Sequence, residues 1–218
     1  MRAGLWLKSG ALAIAVALAG CAGSPREPNN LSVLKAELRA YYRSGTYLAD
    51  IAAVCREAEA WIHRRAADGG RLAVVVDLDE TLWSSWPYFE AQDFGYEPEA
   101  WARWVQEARA PALAPVAELV RSLPSRGVMV VFLSARGERE RVATLRNLRA
   151  LNLAEGARLI CQPDTDRRGN ASYKAAARAE LRAEGWTLIA NLGDQESDLA
   201  GGGAERAFKL PNPFYRTE

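Results

Sequence analysis

The chain has 218 residues, of which 49% are hydrophobic and 25% are charged, and its formal net charge is +1 at pH 7. This composition is typical of a globular protein with a real core, and the length suits one ordinary domain once a leader is removed. The near-zero charge gives no indication of a nucleic acid or an anionic membrane surface as a partner.

The first 20 residues have the pattern of an export signal. Arg2 and Lys8 supply positive charge around an apolar run, residues 11–19, that is too short to span a bilayer comfortably. The segment ends in Leu-Ala-Gly-Cys at Cys21, which resembles the lipobox of bacterial lipoproteins. We therefore predict a signal peptide at residues 1–20 and a lipid anchor on Cys21. A plain secretory signal and an uncleaved anchor remain open.

Residues 21–30 are rich in proline, asparagine and small side chains, which predicts a flexible tether. Ala22 is not the aspartate that retains lipoproteins at the inner membrane. The lipoprotein resemblance therefore implies attachment to a bacterial outer membrane, on its periplasmic side or at the cell surface. Export permits a disulfide between Cys55 and Cys161, and two buried free cysteines are the alternative.

Strand and helix signals alternate from residue 31 to the C-terminus, which we interpret as one domain. Apolar runs typical of strands occur at residues 72–77, 128–133, 158–161, 187–192 and 207–210. Helical spacing occurs at residues 31–43, 47–67, 114–125, 138–151 and 172–184. This alternation predicts an α/β fold of the Rossmann-like, three-layer α/β/α type with a mostly parallel sheet.

The segment from Leu82 to Pro111, between the first two strands, is longer than a crossover requires and is rich in aromatic residues. We predict that it forms a small helical cap above the carboxyl ends of the strands, where open parallel sheets bind ligands. Trp86 and Tyr88, near its start, are candidates to stack on a base or an aromatic leaving group. Packing in the core is the alternative for each of these aromatic residues.

Carboxylates follow two of the predicted strands. Asp77 and Asp79 end the first strand, and Asp194 and Asp198 lie in the loop after the fourth. Like charges this close repel unless a proton or a cation lies between them. Because hard divalent cations prefer oxygen ligands, the pattern indicates a metal site.

Two further groups are suited to binding an anion. Ser134 closes the second strand, and its hydroxyl together with backbone N–H groups at the start of the next helix would form a cradle. Arg136, close by, is a candidate substrate contact. Lys174 is predicted near a helix start, where the helix dipole disfavours a cation, and this misfit suggests that it holds phosphate charge. A solvated surface lysine is the alternative.

In order along the chain, these motifs resemble those of the haloacid dehalogenase (HAD) superfamily of phosphatases: D-x-D-x-T, a strand-end serine, a lysine and G-D-x-x-x-D. The segments FLSARGERER, ASYKAAAR, GDQESDLAG and FKLPNPFY are similar to the subfamily IIIB acid phosphatases. That branch contains plant vegetative storage proteins and bacterial class C lipoprotein acid phosphatases. The resemblance covers the chain from about Leu31 and implies the HAD fold.

The resemblance also implies a role for each residue. Asp77 would be the nucleophile that forms an aspartyl-phosphate, and Asp79 would be the general acid and base. Mg²⁺ would be held by the carboxylates of Asp77 and Asp194 and by the backbone carbonyl of Asp79. The remaining implied roles are phosphoryl-oxygen binding by Ser134 and Lys174, and orientation of Lys174 or of a metal-bound water by Asp198. The implied substrates are small phosphate monoesters, nucleotides included.

The same residues bear on several alternative functions. A non-catalytic surface lipoprotein with a phosphatase-like fold stays an alternative, as does a dedicated nucleotidase or phosphotransferase. His63 is the only histidine, and one histidine cannot supply both the nucleophile and its partner in a histidine phosphatase, nor the ligands of a histidine-rich dinuclear metal site. Residues 161–167 formally match the C-x₅-R loop of cysteine phosphatases, but Asp164 and Asp166 would repel phosphate there.

Overall fold

The computed structural model describes residues 28–217, so the predicted signal peptide, Cys21 and most of the tether lie outside the described residues. Among the described residues, no helix is both long enough and apolar enough to cross a membrane. The helices are α1 (Leu31–Arg43), α2 (Thr46–Ala66), α3 (Trp86–Ala91), α4 (Pro98–Glu107), α5 (Ala114–Ser122), α6 (Arg141–Ala150), α7 (Asn170–Ala183) and α8 (Glu196–Leu199). The strands are β1 (Leu72–Val76), β2 (Val128–Gly137), β3 (Ala157–Gln162), β4 (Thr187–Gly193) and β5 (Ala207–Lys209).

The five strands form one sheet in the order β3-β2-β1-β4-β5, and every neighbouring pair is parallel. The strand order reverses at β1, whose neighbours are β2 on one side and β4 on the other. Ligands of open α/β sheets bind in the crevice at such a reversal, outside the carboxyl ends of the strands. The fold therefore directs attention to the residues that follow β1 and β4.

Helices cover both faces of the sheet, which confirms the predicted three-layer α/β/α architecture. Because successive side chains of a strand point to opposite faces, β1 contributes to two cores. Val74 and Val76 belong to a large core with residues of α2, α5 and the insertion. Ala73 and Val75 belong to a smaller core with Tyr173 and other residues of α7.

The predicted insertion between β1 and β2 contains α3 and α4 and closes at its base. The backbone N–H of Leu113 donates to the carbonyl of Leu82 at 3.0 Å, and that of Ser84 donates to the carbonyl of Pro111 at 2.9 Å. The chain therefore leaves and re-enters the sheet layer at nearly the same place. Helices α3 and α4 can therefore lie together beyond the carboxyl ends of the strands, where they form one wall of a cavity.

Helix α1 contacts the insertion through exposed ion pairs, which we call the α1 contact. Lys35 and Arg39, one turn apart, both bind the carboxylate of Asp93 at 2.6 Å. Arg43, one turn further on, binds Glu90 at 2.5 Å. Basic residues at i, i+4 and i+8 share one helix face, so this face of α1 is complementary to the acidic end of α3.

Cys55 and Cys161 are both buried and both free. Of the two possibilities that the sequence left open, the structure thus has two buried free cysteines. Burial raises the pKa of the Cys161 thiol to about 11. A thiol with so high a pKa is a poor nucleophile at neutral pH, which argues against the cysteine phosphatase alternative.

Candidate active site

Residues from separate strand ends meet around one cavity of about 490 Å³. Asp77 directly follows β1, Ser134 lies in the second half of β2, and Asp194 directly follows β4. Strands β2, β1 and β4 are neighbours, so these three positions share one edge of the sheet. All the residues for which the sequence predicted nucleophilic, acid–base, phosphate-binding or metal-binding roles line this cavity: Asp77, Asp79, Ser134, Lys174, Asp194 and Asp198.

Lys174 lies at the floor of the cavity between two carboxylates. Its ammonium nitrogen is 2.5 Å from Oδ1 of Asp77 and 2.6 Å from Oδ1 of Asp198. Burial disfavours the charged lysine, but the two carboxylates outweigh this effect and raise its pKa above the usual value. Lys174 is therefore a buried cation held directly beside the predicted nucleophile, which rules out the solvated surface lysine.

Asp198 has both carboxylate oxygens occupied by donors. Oδ1 accepts from Lys174, and Oδ2 accepts from the backbone N–H of Gln195 at 2.8 Å. This geometry suits a residue that orients Lys174 better than one that binds an ion directly. Asp198 also packs against Gly193, where a Cβ atom would overlap the aspartate side chain. Only glycine fits at position 193 while Asp198 keeps this place.

Asp194 is fixed by three side-chain donors. The hydroxyl of Thr81 donates to Oδ1 at 2.9 Å, and the side-chain amides of Gln195 and Asn212 donate to Oδ2 at 2.5 and 2.7 Å. The sequence predicted Asp194 but none of these partners. Gln195 is the next residue in the chain, but Thr81 and Asn212 come from two distant segments that only the folded structure brings to this carboxylate.

The acidic residues of the cavity fit a hard divalent cation. Carboxylate oxygens of Asp77, Asp194 and Asp198 lie within 4.8 Å of one another, and within residues 28–217 Lys174 is the one ammonium group that binds them. Burial, together with the neighbouring carboxylates of Asp198 and Asp194, raises the pKa of Asp77 despite the attraction of Lys174. An excess of buried carboxylate over ammonium is the charge imbalance that an oxygen-coordinated divalent cation relieves.

Asp79 makes a bidentate ion pair with Arg136. The guanidinium Nε and Nη2 donate to the two carboxylate oxygens at 2.8 and 2.6 Å, and the indole N–H of Trp83 donates to Oδ1 at 3.0 Å. The guanidinium also lies over the Trp83 ring, 4.9 Å from its centroid. Arg136 lines the cavity, as expected for a substrate contact, but its partner Asp79 was not anticipated.

Ser134 is buried, and its surroundings differ from the predicted cradle. Strand β2 continues through Gly137 instead of ending at Leu133, because Gly137 pairs with Gln162 of β3. The backbone N–H of Arg136 donates to the Ser134 hydroxyl at 3.1 Å, and that of Gly137 donates to the Glu140 carboxylate at 2.8 Å. The expectation of free N–H groups at a helix start here is therefore wrong. The hydroxyl of Ser134 itself does line the cavity.

Aromatic side chains form the outer wall of the cavity opposite the charged floor. They come from the insertion and from the C-terminal segment, and they are Phe89, Phe94, Tyr96, Trp101 and Tyr215. Tyr96 is well exposed, and the other members are buried or half-buried. A planar group that enters the cavity would meet the faces and edges of these rings.

The predicted stacking residues Trp86 and Tyr88 are not part of this wall, so that prediction needs correction. Trp86 stacks on Tyr42 of α1, with ring centroids 3.9 Å apart and an interplanar angle of 5°. The Tyr88 hydroxyl accepts from the backbone N–H of Glu97 at 2.9 Å. Both residues are buried: Trp86 ties the insertion to α1, and Tyr88 holds α3 against the start of α4, while Phe89 of the same helix lines the cavity.

Glu80 is a buried acid that the sequence analysis did not single out. It lies between Asp79 and Thr81 with a positive φ of 56° and is fully buried. Its carboxylate accepts hydrogen bonds from the backbone N–H of Ser85 and from the Ser84 hydroxyl. Glu80 therefore connects the loop after β1 to the first residues of the insertion.

Comparisons with known proteins are consistent with this geometry. The family model described as HAD superfamily, subfamily IIIB (acid phosphatase) matches residues 21–218. Acid phosphatase 1 of Solanum lycopersicum is 35% identical over 68% of this chain and 60% of its own length. Vegetative storage protein 2 of Arabidopsis thaliana is 33% identical over 79% of this chain and 67% of its own length.

Among solved structures, the class C acid phosphatase of Bacillus anthracis superposes with a TM-score of 0.68 and covers 84% of this chain and 86% of its own. Its sequence identity is 22%, so the likeness concerns the fold. The chain spans about 54% to 60% of the length of the first three curated relatives that it matches.

Proposed function

The chain belongs to the acid phosphatases of HAD subfamily IIIB, and we propose that it hydrolyses phosphate monoesters with Asp77 as the nucleophile. The observation that carries the proposal is the meeting of Asp77, Asp194 and Lys174 at one cavity. Burying an excess of carboxylates costs free energy. A protein that only binds a partner through its surface has no use for such a cluster.

The reaction has two steps in this proposal. First, a carboxylate oxygen of Asp77 bonds to phosphorus, the ester P–O bond breaks, and the leaving alkoxide takes a proton from Asp79. Then water attacks the phosphorus of the aspartyl-phosphate and gives a proton to Asp79. The bond between phosphorus and Asp77 breaks, which releases inorganic phosphate and restores both carboxyl groups.

The general-acid step requires Asp79 to carry a proton, which suits an acidic working pH. Arg136, however, pairs with the ionised form of Asp79. Arg136 would therefore exchange this pair for a phosphoryl oxygen when the substrate enters. The Trp83 indole can keep its hydrogen bond to Asp79 during the exchange, so the carboxyl group stays oriented.

Charge on the transferring phosphoryl group would be balanced from two sides. The Lys174 ammonium and the Ser134 hydroxyl would bind its oxygens as negative charge spreads over them. Mg²⁺, held by the carboxylates of Asp77 and Asp194 and by the Asp79 backbone carbonyl, would supply the positive charge that lets an anionic nucleophile approach an anionic ester. Asp198 would keep the lysine in place throughout.

Small phosphorylated molecules with a planar leaving group are the proposed substrates, nucleotides included. The cavity volume of about 490 Å³ suits a small molecule. Charged residues at its floor match a phosphoryl group, and the aromatic wall matches an apolar ring beyond it. A dedicated nucleotidase would favour nucleotides over phenyl esters by a large factor, so profiling both substrate classes separates it from a broad phosphatase.

We further propose that the protein is anchored to the outer membrane by lipid on Cys21. Support comes from the leader pattern and lipobox, and two or more acyl chains give stable anchoring where one does not. In the bacterial host, the parent should partition into the detergent phase of a Triton X-114 extract. Cys21→Ser should abolish the incorporation of labelled palmitate that the parent shows, and a parent that incorporates no label would rule out this anchor.

The catalytic proposal is tested by hydrolysis of p-nitrophenyl phosphate. Asp77→Asn should lower the Mg²⁺-dependent rate by roughly 10³-fold or more, because it removes the nucleophile. Asp68→Asn makes the same change at an exposed position after α2 and should leave the rate unchanged. EDTA should abolish the activity of the parent. If Asp77→Asn keeps a substantial share of the rate, the assignment of the nucleophile is wrong.

A further inference from the structure

Residues 210–217, which we call the C-terminal strap, run along the loop that carries Asp194. The backbone N–H of Leu210 donates to the carbonyl of Gly193 at 2.9 Å, and that of Thr217 donates to the side-chain oxygen of Gln195 at 3.0 Å. The ring of Phe214 is buried among the aromatic side chains of α2 and α3. The strap is thus held along its length, and its residue Tyr215 belongs to the aromatic wall of the cavity.

Asn212, in the middle of the strap, is locked in one orientation. Its side-chain oxygen accepts from the backbone N–H groups of Phe214 at 2.9 Å and Tyr215 at 3.4 Å. Because this oxygen faces two donors, the amide nitrogen must point the other way. There it donates to Oδ2 of Asp194 at 2.7 Å. If the amide were flipped, its NH₂ group would face the backbone N–H groups of Phe214 and Tyr215, and its oxygen would face the Asp194 carboxylate.

We propose that Asn212 is a positioning residue of the divalent-cation site, acting through Asp194. Its amide and that of Gln195 occupy Oδ2, and the Thr81 hydroxyl donates to Oδ1, so the carboxylate cannot rotate freely. A ligand carboxylate fixed before the ion arrives loses less conformational freedom on binding. The inference rests on the proposed function, because it needs the cation that the function requires.

Asn212→Ser isolates this contact. Serine can still offer a hydroxyl acceptor to the turn but is too short to reach Asp194. Asn30 provides a matched control, since its oxygen accepts from the backbone N–H groups two and three residues later in the same way, and its side-chain nitrogen makes no contact with the acidic residues of the cavity. Asn30→Ser therefore makes the same chemical change without touching the site.

The primary measurement is the binding of Mn²⁺ to the full chain. Electron paramagnetic resonance measures this binding, because the signal of the free ion is lost when the ion binds. Asn212→Ser should raise the Kd for Mn²⁺ by about 10-fold or more, as loss of a contact to a metal ligand does elsewhere, and Asn30→Ser should leave it unchanged. In the phosphatase assay, Asn212→Ser should need more Mg²⁺ for half-maximal rate but should approach the parent kcat at saturating Mg²⁺. A purely structural lesion would instead lower the rate at every Mg²⁺ concentration.

The outcomes separate this inference from the proposed function. If the parent chain binds no Mn²⁺, the cation site itself is wrong and the role of Asn212 falls with it. If the parent binds Mn²⁺ and Asn212→Ser binds it within about two-fold of the parent Kd, only the role of Asn212 is overturned. Loss of the near-ultraviolet circular dichroism would show that the serine variant is misfolded. In that case Asn212→Thr, which also keeps a hydroxyl for the turn, replaces it in the Mn²⁺ binding and phosphatase measurements, with the same expected results.

Discussion

Two groups of ion pairs in this protein have nearly the same geometry but lie in opposite surroundings. In the cavity, Lys174 is 2.5 and 2.6 Å from its two carboxylates, and its side chain is 4% exposed. In the α1 contact, Lys35 and Arg39 are both 2.6 Å from Asp93, whose side chain is 63% exposed. Water screens the second group and not the first, so equal distances do not mean equal contributions to stability. The proposed function would explain why the buried charges are kept despite the cost of their burial, while the exposed charges help to align α1 with the insertion.

Removal of the buried ammonium should have the largest effect. Lys174→Met leaves the buried carboxylates of Asp77 and Asp198 without their cation, which should lower the free energy of unfolding by about 3–5 kcal/mol. Urea titration in EDTA measures this change, and Lys209→Met at an exposed position is the matched control. The double variant Lys174→Met/Asp198→Asn should recover part of the loss. A loss below about 1 kcal/mol would mean that the buried pair contributes no more than a surface pair.

A change of pH should have the next largest effect, through Glu80, a buried acid next to Asp79 in the chain. Burial raises the pKa of Glu80 to about 8, while the usual value in an unfolded chain is near 4.5. The folded state therefore keeps a proton that the unfolded chain loses, and stability should fall as the pH rises across this window. Glu80→Gln removes this dependence, so its Tm relative to the parent should rise between pH 5 and pH 8.

The exposed Glu155→Gln makes the same substitution away from the cavity and serves as the control for Glu80→Gln. Its Tm relative to the parent should stay level over the same pH range. A constant difference between Glu80→Gln and the parent would mean that Glu80 is ionised in the folded protein at pH 5.

Neutralising the α1 contact should have the smallest effect. Asp93→Asn removes two of the three ion pairs of the α1 contact, those with Lys35 and Arg39, but keeps a residue type that tolerates the positive φ of 48° at this position. The Tm should fall by no more than about 3 °C, and 1 M NaCl should remove most of the difference. A loss as large as that of Lys174→Met would contradict the comparison.

The pH dependence at Asp93 should have the opposite sign to that at Glu80. Hydrogen bonds from Lys35 and Arg39 lower the pKa of Asp93 below its usual 3.8. Its contribution to stability is therefore present above pH 3.8 and is lost as the pH falls through the folded-state value. The Tm difference between Asp93→Asn and the parent should shrink as the pH is lowered below about 4.

The sequence predicted the parts of the site that depend on strand ends. Asp77 and Asp194 follow apolar runs that are typical of buried strands, and a parallel sheet brings such strand ends to one edge. Lys174 stands out in the sequence because the helix dipole disfavours a cation near the start of a helix, so a lysine there suggests a function. The family resemblance behind these assignments is confirmed by the family match over residues 21–218.

What the sequence could not predict depends on short elements and on long-range folding. Helix α3 has six residues, too few for a periodic pattern to tell that Phe89 lines the cavity while Trp86 is buried. Asn212 reaches Asp194 only because the chain folds back after β5, 18 residues later. The FKLPNPFY segment did mark that region as distinctive, but nothing in its composition names a partner.

The close approach of Gly193 to Asp198 offers a way to sort distant relatives by sequence alone. Any side chain at position 193 would overlap Asp198 and displace it from Lys174. A homologue that keeps both aspartates of G-D-x-x-x-D but carries alanine or a larger residue in place of the glycine should have lost this geometry. Position 193 therefore separates relatives that can hold Asp198 against Lys174 in this way from relatives that cannot, before any of them is purified.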